Sequence, residues 1–223
     1  MKFFDRLQAE TAAERVTLLA APVISDALAG RMTLAQYTAF LTQAYHHVKH
    51  TLPLLMACGG RLPERLEWLR VAVAHYIEEE TGHQEWILED LAACGADAEA
   101  VRRGRPGLPV ELMVSYAYDT VQRRNPVGFL GMVHVLEGTS VNLASRAADA
   151  IQGGLGLPDA AFSYLRSHGD LDIGHVGFFE GIVNRLELED DRASVVHVAK
   201  VIYRLYGDMF RSLPAAAGVA HAA

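Results

Sequence analysis

Acidic and histidine side chains recur in this sequence at the spacing of metal ligands on helices. The first stretch reads Glu79-Glu80-Thr81-Gly82-His83. On a helix of about 100° per residue, both glutamates lie within about 60° of His83 around the axis. Glu-x-x-His is the spacing with which helical di-iron proteins direct two ligands inward, although acid-rich helix faces are commonly just solvated. His83 and either Glu80 or Glu79 are therefore candidate ligands.

A single acid, Glu137, stands in a strongly apolar stretch between Phe129 and Gly138. A carboxylate does not enter such a helix face without a partner. That partner is either a metal ion or an arginine, for which Arg123, Arg124 and Arg146 are available. His134 lies one turn earlier on the same side, and we interpret it as a core histidine or as a hydrogen-bond partner of a ligand rather than as a ligand.

The strongest pattern is a stripe formed by His168, Asp172 and His175. Their spacing of i, i+4 and i+7 confines them to an arc of about 60° on a helix. Asp170 points to the other side, and apolar residues follow from Val176 onward. An accidental polar stripe is the alternative explanation.

Together the three stretches supply three carboxylates and three imidazoles, from Glu80, His83, Glu137, His168, Asp172 and His175. This mixture of oxygen and nitrogen donors suits iron or manganese, and the absence of a thiolate argues against structural zinc. Carboxylates can bridge two metals, and six protein ligands leave positions open for O2 and a substrate. The pattern predicts a pair of iron ions.

The elements that must position these residues are helices, because apolar residues recur at helical spacing nearly everywhere. We predict an all-α bundle of about seven helices, over residues 3–20, 33–58, 63–93, 110–124, 126–152, 159–186 and 191–213. Residues 1–213 form one domain in this prediction, and 214–223 a disordered tail.

Local signals place several of these boundaries. Thr33 and Gln36 form a capping box, and Pro53 is expected to kink the second helix. Gly95 is the expected left-handed cap of the third helix, and Gly153-Gly154 the expected end of the fifth.

Composition excludes several classes of function. The net charge of −7 leaves no basic face for nucleic acid, and no apolar run is long enough to span a membrane. The two cysteines, Cys58 and Cys94, have no C-x-x-C spacing, and no export signal follows Met1. These features predict a cytoplasmic protein without nucleic-acid or membrane partners.

From Tyr45-His46-His47-Val48-Lys49-His50 to the His-x-x-x-Asp-x-x-His stripe, the chain resembles the heme-oxygenase-like di-iron oxidases. These belong to the superfamily of the TenA thiaminases and pyrroloquinoline quinone synthase, and one branch includes the chlamydial protein associating with death domains. The resemblance implies a heme-oxygenase-like bundle with two Fe(II)/Fe(III) ions that uses O2 to oxidise a small organic substrate. It also implies a homodimer.

The first glutamate is where the chain departs from part of this family. Some relatives place it seven residues before the histidine, where this chain has Tyr76, and others three before, where it has Glu80. We therefore favour Glu80 and keep Glu79 as the alternative. Tyr76 would then lie near the metal as a hydrogen-bonding or redox-active side chain.

Three further residues, Tyr45, His46 and Lys49, are candidate polar contacts of the substrate pocket. Lys49 could pair with a substrate carboxylate or form an ordinary surface salt bridge.

Two alternatives to a di-iron oxidase follow from the same resemblance. One is a metal-free TenA-type enzyme acting on a thiamin-like or quinone-precursor heterocycle, and the other is a non-catalytic protein that retains the fold. TenA thiaminases use a cysteine nucleophile, but neither Cys58 nor Cys94 lies in a matching motif. Heme oxygenases ligate heme through a histidine of the first helix, and residues 1–45 contain no histidine.

Overall fold

Helices form the regular structure of this chain. The computed structural model describes residues 1–215, apart from the side chains of Asn142 and of residues 168–175; residues 216–223, most of the predicted tail, also lie outside the description. The helices are α1 (Phe3–Glu10), α2 (Ala12–Leu19), α3 (Pro22–Leu28), α4 (Leu34–Val48), α5 (Thr51–Arg61), α6 (Glu67–Glu79), α7 (His83–Ala93), α8 (Ala98–Arg103), α9 (Leu108–Arg123), α10 (Phe129–Leu155), α11 (Ser163–Asn184) and α12 (Glu189–Ser212). No strand occurs among the described residues, so the predicted all-α class is confirmed.

The number of helices exceeds the prediction because several predicted helices are divided. The first is split at Thr11, whose buried hydroxyl donates to the Leu7 carbonyl at 2.7 Å. A further short helix, α3, follows it and begins at Pro22, which suits the first turn of a helix because proline lacks an N–H.

The predicted second helix begins as expected but ends early. Thr33 and Gln36 form the capping box. The helix is then interrupted at Lys49 and His50. Pro53 therefore lies in the first turn of α5 and does not kink one long helix. A proline ring clashes with the carbonyl four residues before it, which here belongs to Lys49, so the break lies where that clash would fall.

The predicted third helix is broken between Glu80 and Gly82. Gly82 has a φ of +96°, a left-handed conformation that favours glycine, and α7 then starts at His83. Glu80 and His83 therefore belong to the end of one helix and the start of the next. The predicted end of α7 is confirmed, with Gly95 at a φ of +78°.

The predicted end of the fifth helix at Gly153-Gly154 is wrong. Helix α10 continues to Leu155 and ends at Gly156, which has a φ of +66°. A Cβ on Gly154 would lie only 2.2 Å from the carbonyl oxygen of Gly30. Gly154 therefore serves close packing of α10 on the connection after α3, rather than ending the helix.

Helix α10 lies at the centre of the packing. It runs against α11 and α12, while α12 also packs on α2 and α9, and α4 packs on α7 and α9. A buried carboxylate joins α7 to α11, because Asp90 accepts the backbone N–H groups of Ser163 at 2.9 Å and Tyr164 at 3.0 Å. These are first-turn donors of α11 that no helical carbonyl can satisfy, so α7 positions the start of α11.

In the part of the chain that the structure describes, no single helix is long and apolar enough to cross a membrane. Only the two halves of α10 with the preceding turn, Pro126–Val141 and Leu143–Leu155, pass that test together, as a bent pair.

Candidate metal centre

A small cavity lies between α4, α5, α6, α10 and α11, and part of its wall is polar. Its volume is about 80 Å³, and its polar lining includes His47, Tyr76, Glu80, Glu137 and Tyr164. Apolar side chains of α4, α5 and α10 close the rest of its wall. Two of the predicted ligands, Glu80 and Glu137, therefore face one cavity although 57 residues of sequence separate them.

His83 joins this group through Glu80. Its Nδ1 lies 3.0 Å from Oε2 of Glu80, and both side chains are largely buried. The imidazole stacks on the ring of Trp86, with the centroids 4.1 Å apart. Both contacts fix the orientation of the imidazole, and a carboxylate on one ring nitrogen is the support that metal-binding histidines usually receive.

Tyr76 stands among the acids of this cavity. Burial and the nearby carboxylates of Glu137, Glu79 and Glu80 together raise the pKa of Tyr76 well above its ordinary value. The phenol is therefore neutral at physiological pH, which leaves it able to donate a hydrogen bond to a carboxylate.

The two candidate glutamates of the first stretch point to different partners. Oε1 of Glu79 lies 3.2 Å from Nε2 of His75, whose side chain is half exposed. Glu80 instead lines the cavity and contacts His83.

Two of the three arginines that the sequence offers as partners of Glu137 are engaged elsewhere. Arg123 and Arg124 both pair with Asp119, at 3.2 Å and 2.8 Å. They therefore do not account for the acid in α10.

The side chains of His168, Asp172 and His175 lie outside the described residues, so their predicted role as ligands stays a prediction. Their helix, α11, borders the site on both sides of that stretch. Tyr164 lines the small cavity, and the ring of Phe178 lies 5.3 Å from that of Tyr76. Among the described residues, no group of three or more His, Cys, Asp or Glu side chains is arranged to hold a metal ion.

His134 lies in an aromatic part of the core. Its ring stacks on Phe179 at 5.8 Å and meets the edges or faces of Phe4 and Tyr203 at 6.2 and 6.1 Å. Its Nε2 is buried and has no hydrogen-bond partner among the described residues. His134 is thus buried among aromatic side chains, and the choice between its two predicted roles stays a prediction.

Tyr45, His46 and Lys49 form a separate cluster at the end of α4. Nζ of Lys49 lies 3.2 Å from Nδ1 of His46 and 5.2 Å from the centre of the Tyr45 ring. From this helix the cavity is lined by His47 and Val48. Adjacent histidines cannot be told apart by spacing alone, so the sequence does not distinguish His47 from His46.

Neither cysteine has the surroundings of a nucleophile. Burial raises the pKa of Cys58 to about 12, and burial with the charge of Asp90 raises that of Cys94 to about 11. Thiolates are the reactive form, and both thiols are protonated at neutral pH.

Comparisons with known proteins agree with this architecture. Residues 38–207 match the family described as "Iron-containing redox enzyme". A domain of unknown function with a heme oxygenase-like fold from Shewanella denitrificans OS217 superposes with a TM-score of 0.82 and 25% identity, over 94% of this chain and 90% of that one. No curated protein matches the chain.

Two further solved structures share the fold at lower identity. A TenA homologue from Pseudomonas syringae pv. tomato DC3000 has a TM-score of 0.79 and 10% identity over 93% of this chain and 90% of that one. Heme oxygenase from Leptospira interrogans has a TM-score of 0.76 and 16% identity over 96% of this chain and 100% of that one. The predicted heme-oxygenase-like, TenA-like fold is confirmed, and the match over residues 38–207 shows that the chain belongs to the family of iron-containing redox enzymes.

Proposed function

We propose that the chain is a non-heme di-iron oxidase or oxygenase that uses O2 to oxidise a small organic substrate. The observation that carries the proposal is the position of Glu80 and Glu137 on one small cavity, with His83 hydrogen-bonded to Glu80. Oxygen and imidazole donors of this kind suit iron. The family match to iron-containing redox enzymes also supports iron as the metal.

In this proposal Glu80, His83 and Glu137 hold iron together with the α11 residues His168, Asp172 and His175. Bound Fe(II) would supply the electrons and open positions that O2 chemistry requires. Tyr76 holds its proton beside Glu137 and can orient that carboxylate. The apolar remainder of the cavity wall excludes bulk water from the carboxylates.

The metal-free thiaminase alternative has less support, because the pKa of both thiols, Cys58 and Cys94, is raised. A cytoplasmic location and a homodimer remain predictions of this proposal.

Anaerobic titration with Fe(II), with bound iron measured after desalting, tests the proposal. We expect wild type to retain a pair of ions per chain and to melt at a higher temperature when loaded, because a ligand that binds only the folded state stabilises it. Glu80→Gln and Glu137→Gln should each lose iron. Glu79→Gln is the matched control, since Glu79 contacts His75, and it should retain iron.

The oxygen step is followed in the same samples. Exposure of the loaded protein to O2 should produce a transient visible absorption band that the Glu137→Gln variant lacks. If wild type takes up no more iron than a Glu137→Ala/His175→Ala double variant, the di-iron proposal is wrong.

A further inference from the structure

Glu137 also lines a second and much larger cavity. Its volume is about 530 Å³, and its wall is built by side chains of α1, α2, α10, α11 and α12. Pockets for small organic ligands occupy about 300–1,000 Å³, whereas about 80 Å³ holds only a few waters. Of the two cavities that Glu137 borders, only the larger has room for an organic substrate.

The larger cavity is lined by one arginine, Arg15, whose described neighbours are uncharged. Arg15 is half buried on α2, its Nη1 donates to Oε1 of Gln8, and Tyr203 of α12 lines the same cavity beside it. In the described part of the chain no carboxylate forms an ion pair with it within 4.0 Å. A guanidinium that is partly removed from water and lacks an acid is an incomplete site, because its donor geometry matches a carboxylate.

The remaining wall is largely apolar, with Phe4, Leu19 and Phe179 among its lining residues. His134 also lines it, and its buried Nε2 has no hydrogen-bond partner among the described residues. The cavity therefore offers one cationic group, one available neutral nitrogen and an aromatic surface. Glu137 is the acid that the described lining contributes.

We propose that this cavity binds an organic carboxylate, with the anionic group on Arg15 and an apolar or aromatic body against Phe4 and Phe179. The molecule would then present its other end toward Glu137, which borders both cavities. That the bound carboxylate is the compound oxidised rests on the proposed function; the binding itself does not.

The experiment uses metal-free, full-length protein, so that it does not depend on iron. Isothermal titration calorimetry measures the affinity for phenylacetate and hexanoate, each compared with its neutral amide, phenylacetamide and hexanamide. We expect each acid to bind wild type more tightly than its amide. Arg15→Gln should weaken binding of the acids by about tenfold or more, as loss of a charge-assisted pair does, and should leave the amides unaffected.

Two further variants separate charge from structural damage. Arg15→Lys keeps the charge and should restore part of the preference for acids. Arg204→Gln removes an exposed arginine of α12 that lines a different groove, and should bind as wild type does. The acid-to-amide ratio of wild type and its decrease with salt test the proposal even if Arg15→Gln does not fold.

Three results would overturn the inference: neither acid binds, acids and amides bind wild type equally, or folded Arg15→Gln retains the affinity for acids. Failure of the proposed function looks different, because the protein would then prefer acids but take up no iron. Iron uptake without a preference for acids would leave the proposed function standing and remove this inference.

Discussion

At the scale of single residues, burial determines the charge of His134, which lines the larger cavity and contacts Tyr203 of α12. Burial, with a smaller contribution from the charge of Arg15, lowers the pKa of His134 to about 4. In an unfolded chain a histidine has a pKa of about 6.5. Between these values the unfolded chain binds a proton that the native protein does not, so stability falls as the pH decreases from about 6.5 toward 4.

Replacing His134 should reduce the loss of unfolding free energy at acidic pH. Between about pH 7.5 and about pH 5, we expect wild type to lose about 2 kcal/mol more unfolding free energy than His134→Phe loses. Urea denaturation at the two pH values measures both losses. Each protein is compared with itself at the two pH values, so a destabilisation by the new ring that is independent of pH cancels.

His197→Gln is the control, because it removes an exposed imidazole of α12. It should show the same acid loss as wild type. Equal losses in wild type and His134→Phe would mean that His134 is not kept neutral by the fold.

At the scale of elements, two adjacent glycines of α10 have opposite roles. A Cβ on Gly154 would lie 2.2 Å from the Gly30 carbonyl oxygen, whereas a Cβ on Gly153 would have no atom within 4 Å. The atom that this Cβ would meet belongs to the backbone, so it cannot turn aside as the end of a flexible side chain could. Only Gly154 is required by the packing of α10 on the connection after α3.

The same substitution should therefore change stability in opposite directions at these two positions. Gly153→Ala should raise the unfolding free energy by about 0.5–1 kcal/mol, because alanine has the higher helix propensity. Gly154→Ala gains the same propensity but should lose about 2 kcal/mol or more through the clash with a backbone atom.

Urea denaturation of the two variants is a matched comparison, since helix, substitution and position are nearly identical. If both variants shift in the same direction, α10 does not approach Gly30 as closely as described.

At the scale of the whole molecule, one buried acid joins three distant segments. Asp191 in the first turn of α12 accepts hydrogen bonds from Arg65, just before α6, at 2.7 and 3.1 Å. It also accepts one from Asn125, between α9 and α10, at 2.8 Å. Burial alone would raise the pKa of Asp191, but the hydrogen bonds from Arg65 and Asn125 and the charge of Arg65 hold it below its ordinary value.

Neutralising this acid should destabilise the whole bundle. Asp191→Asn keeps the volume but loses charge and acceptor capacity, and we expect it to lower the unfolding free energy by about 1–3 kcal/mol at neutral pH. A lowered carboxyl pKa contributes stability above the unfolded value near 3.9 that is lost as the pH falls through the folded value. The deficit of the variant should therefore shrink in acid, which urea denaturation at several pH values measures.

Asp190→Asn provides the control, because it removes the adjacent, exposed acid from the same helical turn. It should leave stability nearly unchanged. A similar loss in both variants would assign the effect to the start of α12 in general and not to the contacts of Asp191.

The sequence by itself determined the all-α class, most helix positions, the capping box at Thr33 and the left-handed cap at Gly95. These depend on apolar spacing and on hydrogen bonds within a few residues, so the information is local. The same locality makes Glu80, His83 and Glu137 visible as candidates, and leaves His168, Asp172 and His175 as a predicted stripe.

Only the tertiary structure decided which of these residues share a cavity. The break at Gly82 brings Glu80 against His83 from two helices, and packing of α4 selects His47 rather than His46 as a wall of the cavity. No sequence pattern marks Arg15 as a binding residue. What sets it apart is that its described neighbours from α1 and α12, Gln8 and Tyr203, are not acids. Contacts between helices distant in sequence carry no periodic pattern, and so cannot be obtained from local spacing.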